Sequence, residues 1–134
     1  MSNQSPAPIP ILLVEDNPAD IRLVQEALKD AGVDTRLQVV RDGVEALDRL
    51  QGCARDSRLP RLILLDLNLP RLTGDAVLGK LRADPTLRHI PVLVITVSQI
   101  EDEFLREYGV DRSQCLGKPV DFRALAEAIR AVTS

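Results

Sequence analysis

Five times along this chain a short β-branched or leucine-rich run gives way to a helical pattern, and that alternation restricts the fold more than any other feature. The runs are Ile9 to Val14, Leu37 to Val40, Leu62 to Leu65, Pro91 to Val97, and a short one near Gln114 to Leu116. The stretch LILLDLNLP, Leu62 to Pro70, is the plainest: four apolar residues suited to a strand buried on both faces, then Asp66. Strands of this kind alternating with helices predict a parallel sheet covered on both sides. Five strands do not close an eight-stranded barrel, so the expected fold class is an open, doubly wound α/β sheet.

The intervening segments carry helix signals. Asn17-Pro18 with Asp20 supplies an N-cap, a first-position proline and a first-turn acid, and Ile21, Val24, Ala27, Leu28 and Ala31 repeat at helical spacing up to Gly32. A short second helix is expected from Gly43 to about Leu50, followed by a polar loop from Gln51 to Pro60. A third, with Val77, Leu78 and Leu81, follows Gly74 and stops near Asp84-Pro85. Glu101 to Tyr108 reads as a polar helix, and Asp121 to Ala131 as the last, with Phe122, Leu125 and Ile129 inward. Residues 1–8 are expected to form a loose tail and residues 9–134 a single domain.

Open doubly wound sheets bind ligands at the carboxyl ends of their strands. Those ends deliver Glu15 and Asp16, then Asp66, then Thr96 with Ser98 close behind, then Lys118 followed by Pro119. Each residue alone has an ordinary explanation: Asp66 as a turn cap, Lys118 as a solvated lysine, Thr96 as a strand former. Their joint register at the correct strand ends argues for a site. Two like charges 4 Å apart repel by about 4 kcal/mol at an effective dielectric of 20, so three acids facing one lysine call for a cation. Hard oxygen donors suit Mg²⁺. Zinc suits them badly, and the lone His89 has no strand-end partner and reads as a surface residue. A carboxylate beside a divalent cation, a hydroxyl and an ammonium is suited to accept a phosphoryl group, with Asp66 as nucleophile, Lys118 neutralising phosphoryl oxygens and Thr96 donating a hydrogen bond.

Other classes fit poorly. A net charge of −3, from 17 basic and 20 acidic residues, with 2% aromatics, gives no basic patch and no base-stacking platform, so no nucleic-acid partner is expected. No apolar run is long enough to span a bilayer and MSNQSPAPIP lacks the layout of a secretion signal, so no membrane partner and a cytoplasmic location are expected, with Cys53 and Cys115 as reduced thiols. No GxGxxG or Walker lysine loop follows the first strand.

The motifs LLVEDN, LILLDLNLP with Gly74 following, VITVS and GKPV, in this order and spacing, make the chain resemble the receiver domain of two-component response regulators (the CheY-like family) from about Ile9 to Val132. The resemblance implies a flavodoxin-like (βα)5 fold with sheet order 2-1-3-4-5. It implies that Asp66 is the phosphoacceptor for a histidine kinase and that Thr96 and Lys118 are the switch hydroxyl and the site lysine. It implies Mg²⁺ held by Asp16, Asp66 and the backbone carbonyl of Asn68, with Glu15 acting through water, and a cis Lys118-Pro119 bond. VEDNPADIRLVQEAL and VVRDGVEAL resemble stand-alone regulators paired with phytochrome-type kinases. Two positions depart from the family pattern: Cys115 stands where an aromatic residue is usual, and Val97 where a small one is, so that Val97 is expected to narrow the phosphoryl pocket and the usual Thr–aromatic toggle to be absent.

The function implied is that of a single-domain response regulator, not an enzyme, without an output domain. It would signal through a downstream protein or a phosphotransfer partner. Homodimerisation is expected through the fourth helix, fifth strand and fifth helix, and kinase docking on the outer edge of the first helix around Leu23. A pseudo-receiver that is never phosphorylated is one alternative. An Asp-nucleophile phosphatase-like enzyme is the other, although Asn68 stands where such enzymes usually carry a second acid.

Overall fold

The computed structural model describes residues 8–97 and 99–133. Its strands are β1 (Ile9–Val14), β2 (Thr35–Val40), β3 (Leu62–Asp66), β4 (Val92–Thr96) and β5 (Cys115–Gly117). They alternate with helices α1 (Pro18–Asp30), α2 (Gly43–Arg55), α3 (Gly74–Ala83), α4 (Asp102–Tyr108) and α5 (Phe122–Thr133). All strand pairs are parallel and the sheet order is β2-β1-β3-β4-β5, the expected doubly wound topology.

Every residue of β3 and β4 is buried, because successive side chains feed opposite faces of the sheet. Leu12, Val14, Ile63, Leu65, Val92 and Val94 pack with Ala46 and Leu50 of α2 and Val77, Leu78 and Leu81 of α3. Ile11, Leu13, Leu62, Leu64, Leu93 and Ile95 pack on the other side with Ile21, Val24 and Leu28 of α1 and Leu125 and Ile129 of α5. The edge strand β2 instead alternates, with Arg36 and Gln38 exposed.

Some boundaries differ from the sequence-based expectation. The largest change is in α2, which continues through Gln51 to Arg55 where a polar loop was expected. No proline intervenes, Gly52 costs only about 1 kcal/mol relative to alanine, and Ala54 packs against the α2–α3 side of the core. The helix ends only where Asp56 caps it and Ser57 takes φ 56°. β2 begins at Thr35, since Ile9 and Pro10 of β1 offer pairing partners for Thr35 and Arg36. β4 loses Pro91 and Val97 at its ends, and β5 shifts one residue onward, because Arg112–Gln114 forms a 3₁₀ turn capped reciprocally by Asp111 and Gln114. In α5, Leu125 and Ile129 are buried as expected, whereas Phe122 is half-buried. Residues 1–7 of the tail expected over 1–8, and Ser98, lie outside the described residues.

Two glycines let helix starts approach the carboxyl edge of the sheet. A Cβ on Gly74 would run into the Asp66 carbonyl oxygen and the Leu67 Cα, and one on Gly43 would meet the Leu72 carbonyl. Backbone atoms cannot yield cheaply, so glycine seats α3 directly behind Asp66. The β3–α3 loop is further tied to the start of α2 by an ion pair of 3.0 Å between Arg71 and Asp42, the residue that caps α2.

Candidate functional site

Among the described residues, Glu15, Asp66 and Thr96 are the buried polar side chains of the core, 1%, 2% and 3% exposed. β1 carries Glu15 and Asp16 to its carboxyl end. There the Asn17 side chain accepts from the N–H groups of Ala19 and Asp20 and starts α1, while the Asn17 N–H donates to Glu15 Oε2 at 3.2 Å. β3 carries Asp66, whose Oδ1 accepts the Asn68 N–H at 2.9 Å. β4 carries Thr96, whose Oγ1 lies 3.4 Å from Asn68 Nδ2. β5 leads to Lys118, whose N–H donates to the Thr96 carbonyl at 3.1 Å, and the Lys118–Pro119 peptide is cis.

The Lys118 ammonium is the hub. Its Nζ lies 2.7 Å from Glu15 Oε1, 3.0 Å from Asp20 Oδ2 and 3.1 Å from Asp66 Oδ2. Burial disfavours its charged form, but the hydrogen bonds to Glu15, Asp20 and Asp66 outweigh burial and hold its pKa above the ordinary lysine value. Burial pushes Glu15 up to about 7, against the pull of Lys118 and with the added push of neighbouring Asp66. Carboxylate oxygens of Glu15, Asp16 and Asp66 all lie within 4.8 Å of one another, Asp16 being exposed. One ammonium cannot neutralise this group, and an all-oxygen set opening to solvent fits a hard divalent cation that retains several waters. Among the described residues, Glu15, Asp16 and Asp66 are the side chains that could hold it.

Of the strand-end residues named from sequence, Glu15, Asp16, Asp66, Thr96 and Lys118 are thus brought together. Asp20 was missed: the sequence marks it only as a first-turn acid, and nothing local shows that it reaches a lysine 98 residues away. Val97 is 71% exposed, so most of its bulk faces solvent. Cys115 is half-buried against the α2–α3 side of the core, and burial pushes its thiol up. Leu23 is half-buried against the α1–α5 side, leaving part of its surface open. His89 is exposed, and Cys53 and Cys115 are free thiols. No helix among the described residues is long and apolar enough to cross a membrane.

Fold and site together are those of a flavodoxin-like receiver. The chain belongs to the response regulator receiver domain family, whose model matches residues 11–130. It is 42% identical to the response regulator Rcp1 of Synechocystis sp. over 136 aligned residues, covering all of this chain and 92% of that protein. It is also similar to the solved bacteriophytochrome response regulator AtBRR, at 39% identity and a TM-score of 0.79, covering 95% of this chain and 94% of the other. A Mn²⁺-bound structure of Rcp1 matches at 42% identity and a TM-score of 0.74, covering 93% and 91%. Its relatives are thus two-component signalling proteins, phytochrome-associated ones among them.

Proposed function

We propose that this protein is a phosphorylation-controlled response regulator that takes a phosphoryl group onto Asp66 from a sensor histidine kinase. The observation that carries this function is the setting of Asp66. Its carboxylate is 2% exposed, is held by the Asn68 N–H and the Lys118 ammonium, and faces Glu15 and Asp16 within 4.8 Å. A bond forms between an Asp66 oxygen and phosphorus as the P–N bond of a phosphohistidine breaks, the imidazole nitrogen leaving with the electron pair and later taking a proton. Lys118 offsets charge on the phosphoryl oxygens, and the Thr96 hydroxyl donates to one of them once it turns from Asn68. Asp16, Asp66, the Asn68 backbone carbonyl and, through water, Glu15 would hold Mg²⁺, which when bound supplies the positive charge that the carboxylates and phosphoryl group require.

The similarity to Rcp1 and to bacteriophytochrome regulators supports a phytochrome-type histidine kinase as donor. Docking on the outer edge of α1 around Leu23 belongs to the same reading, as do a cytoplasmic location, a homodimer through α4, β5 and α5, and output to a protein or phosphotransfer partner rather than catalytic turnover. Intact mass after incubation with Mg²⁺ and acetyl phosphate tests it. One phosphate adduct, absent in Asp66→Asn, is expected. Turnover of phosphomonoesters would instead indicate a phosphatase-like enzyme, and the absence of any adduct a pseudo-receiver.

A further inference from the structure

We propose that Asp20 is a positioning residue that competes with the incoming phosphoryl group for Lys118, and so sets how fast Asp66 is phosphorylated. This rests on the phosphoacceptor function proposed above and adds a control element to it.

An ammonium has three protons to donate. Here all three are engaged, by Glu15 at 2.7 Å, Asp20 at 3.0 Å and Asp66 at 3.1 Å. A phosphoryl oxygen arriving on Asp66 needs one of them. Esterification lowers the charge on the Asp66 oxygen and moves negative charge outward onto the phosphoryl oxygens, so the ammonium has to follow. The partners differ in how readily they let go. Glu15 has a side chain 2% exposed and water cannot replace the lysine there without cost, whereas the Asp20 side chain is 29% exposed and rehydrates easily. Asp20 is therefore the exchangeable partner, and its charge opposes the exchange. Its placement is determined by the Asn17 cap, which accepts from the Asp20 N–H at 3.2 Å and turns the first turn of α1 toward the strand ends.

The test follows adduct formation with acetyl phosphate and Mg²⁺, in which the Asp66 oxygen–phosphorus bond forms as the bridging O–P bond of the donor breaks and acetate leaves. Asp20→Asn should raise the maximal rate by about 2- to 5-fold, the worth of a partly exposed ion pair, while the half-saturating donor concentration changes by less than about 2-fold. Asp20→Glu, which keeps the charge, should return the rate toward that of the unmodified protein. Glu26→Gln, an equal charge change on an exposed part of α1, should leave it unaltered. Equal urea midpoints for the variants would exclude a folding defect. An unchanged maximal rate in Asp20→Asn overturns the proposal. So does a gain that falls wholly in half-saturating concentration and vanishes in high salt, since that is simple repulsion of an anionic donor. Failure of the unmodified chain to form any adduct refutes the phosphoacceptor function and this proposal with it, whereas an adduct forming equally fast in both proteins refutes this proposal alone.

Discussion

Replacing Asp66 with asparagine should stabilise the metal-free protein while removing most of its response to divalent cations. The change deletes an attraction to Lys118 at 3.1 Å, about 5 kcal/mol at an effective dielectric of 20. It also deletes repulsion from Glu15 and Asp16 across at most 4.8 Å, at least about 3.5 kcal/mol for each at that dielectric. Asp16 is exposed, so its share is screened and the Coulomb terms nearly cancel. Desolvation then decides. The carboxylate is 2% exposed, and a charged group costs several kcal/mol to bury where the neutral amide costs far less. The amide oxygen can still accept the Asn68 N–H that Asp66 Oδ1 accepts. The expected net gain is about 1–3 kcal/mol, a rise in Tm of roughly 3–5 °C per kcal/mol for a chain of 134 residues. With Mg²⁺ at 100 times Kd, the unmodified protein should gain about 2.7 kcal/mol and the variant much less. Far-UV circular dichroism during urea and thermal unfolding is the assay, because one tyrosine and no tryptophan leave little fluorescence to follow. Measurements belong at pH 8, where Glu15, with a pKa of about 7, is mostly ionised. A metal-free variant less stable than the parent, or equal Mg²⁺ stabilisation of both, would refute this electrostatic account of the site.

Three further outcomes are expected. Glu15 has a folded pKa raised by burial from 4.5 to about 7, so the folded state binds its proton more tightly. Metal-free stability should therefore fall as pH rises through that window, by on the order of 3 kcal/mol from this group. Glu15→Gln should flatten that slope, and parallel urea midpoints for both proteins from pH 4.5 to 8 would contradict it. Gly74→Ala drives a methyl group into the Asp66 carbonyl and Leu67, and should cost about 1–3 kcal/mol in urea unfolding with weaker divalent binding; an unchanged midpoint would mean that α3 is not seated as described. The Arg82 guanidinium donates to the Tyr108 and Arg88 carbonyls, each at 2.9 Å, so Arg82→Ala should cost about 1–2 kcal/mol and speed amide exchange across α4. Exchange changes confined to α3 would argue against that tie.

Much of this molecule is written in local pattern. The alternation of apolar runs with helical spacing determined the doubly wound class, because a strand such as Leu62 to Leu65 is stable only when helices cover both of its faces. The positions of Glu15, Asp16, Asp66, Thr96 and Lys118 at or near the ends of those runs determined which edge bears the candidate site, since side chains at the carboxyl ends of parallel strands share one rim. Cap chemistry at Asn17 likewise located the start of α1. What local pattern did not contain is whatever depends on distance in space. The extension of α2 to Arg55 follows from Ala54 meeting the core, and the start of β2 at Thr35 from the β1 residues opposite it. The pairing of Asp20 with Lys118, and the burial that lifts Glu15 to about 7, arise only when β1 and β5, separated in the sheet by β3 and β4, direct their ends to a common point. Charge and solvation energies depend on separation and on excluded water. Neither exists until the chain has closed on itself, and so the sequence names the groups while the tertiary structure sets their chemistry.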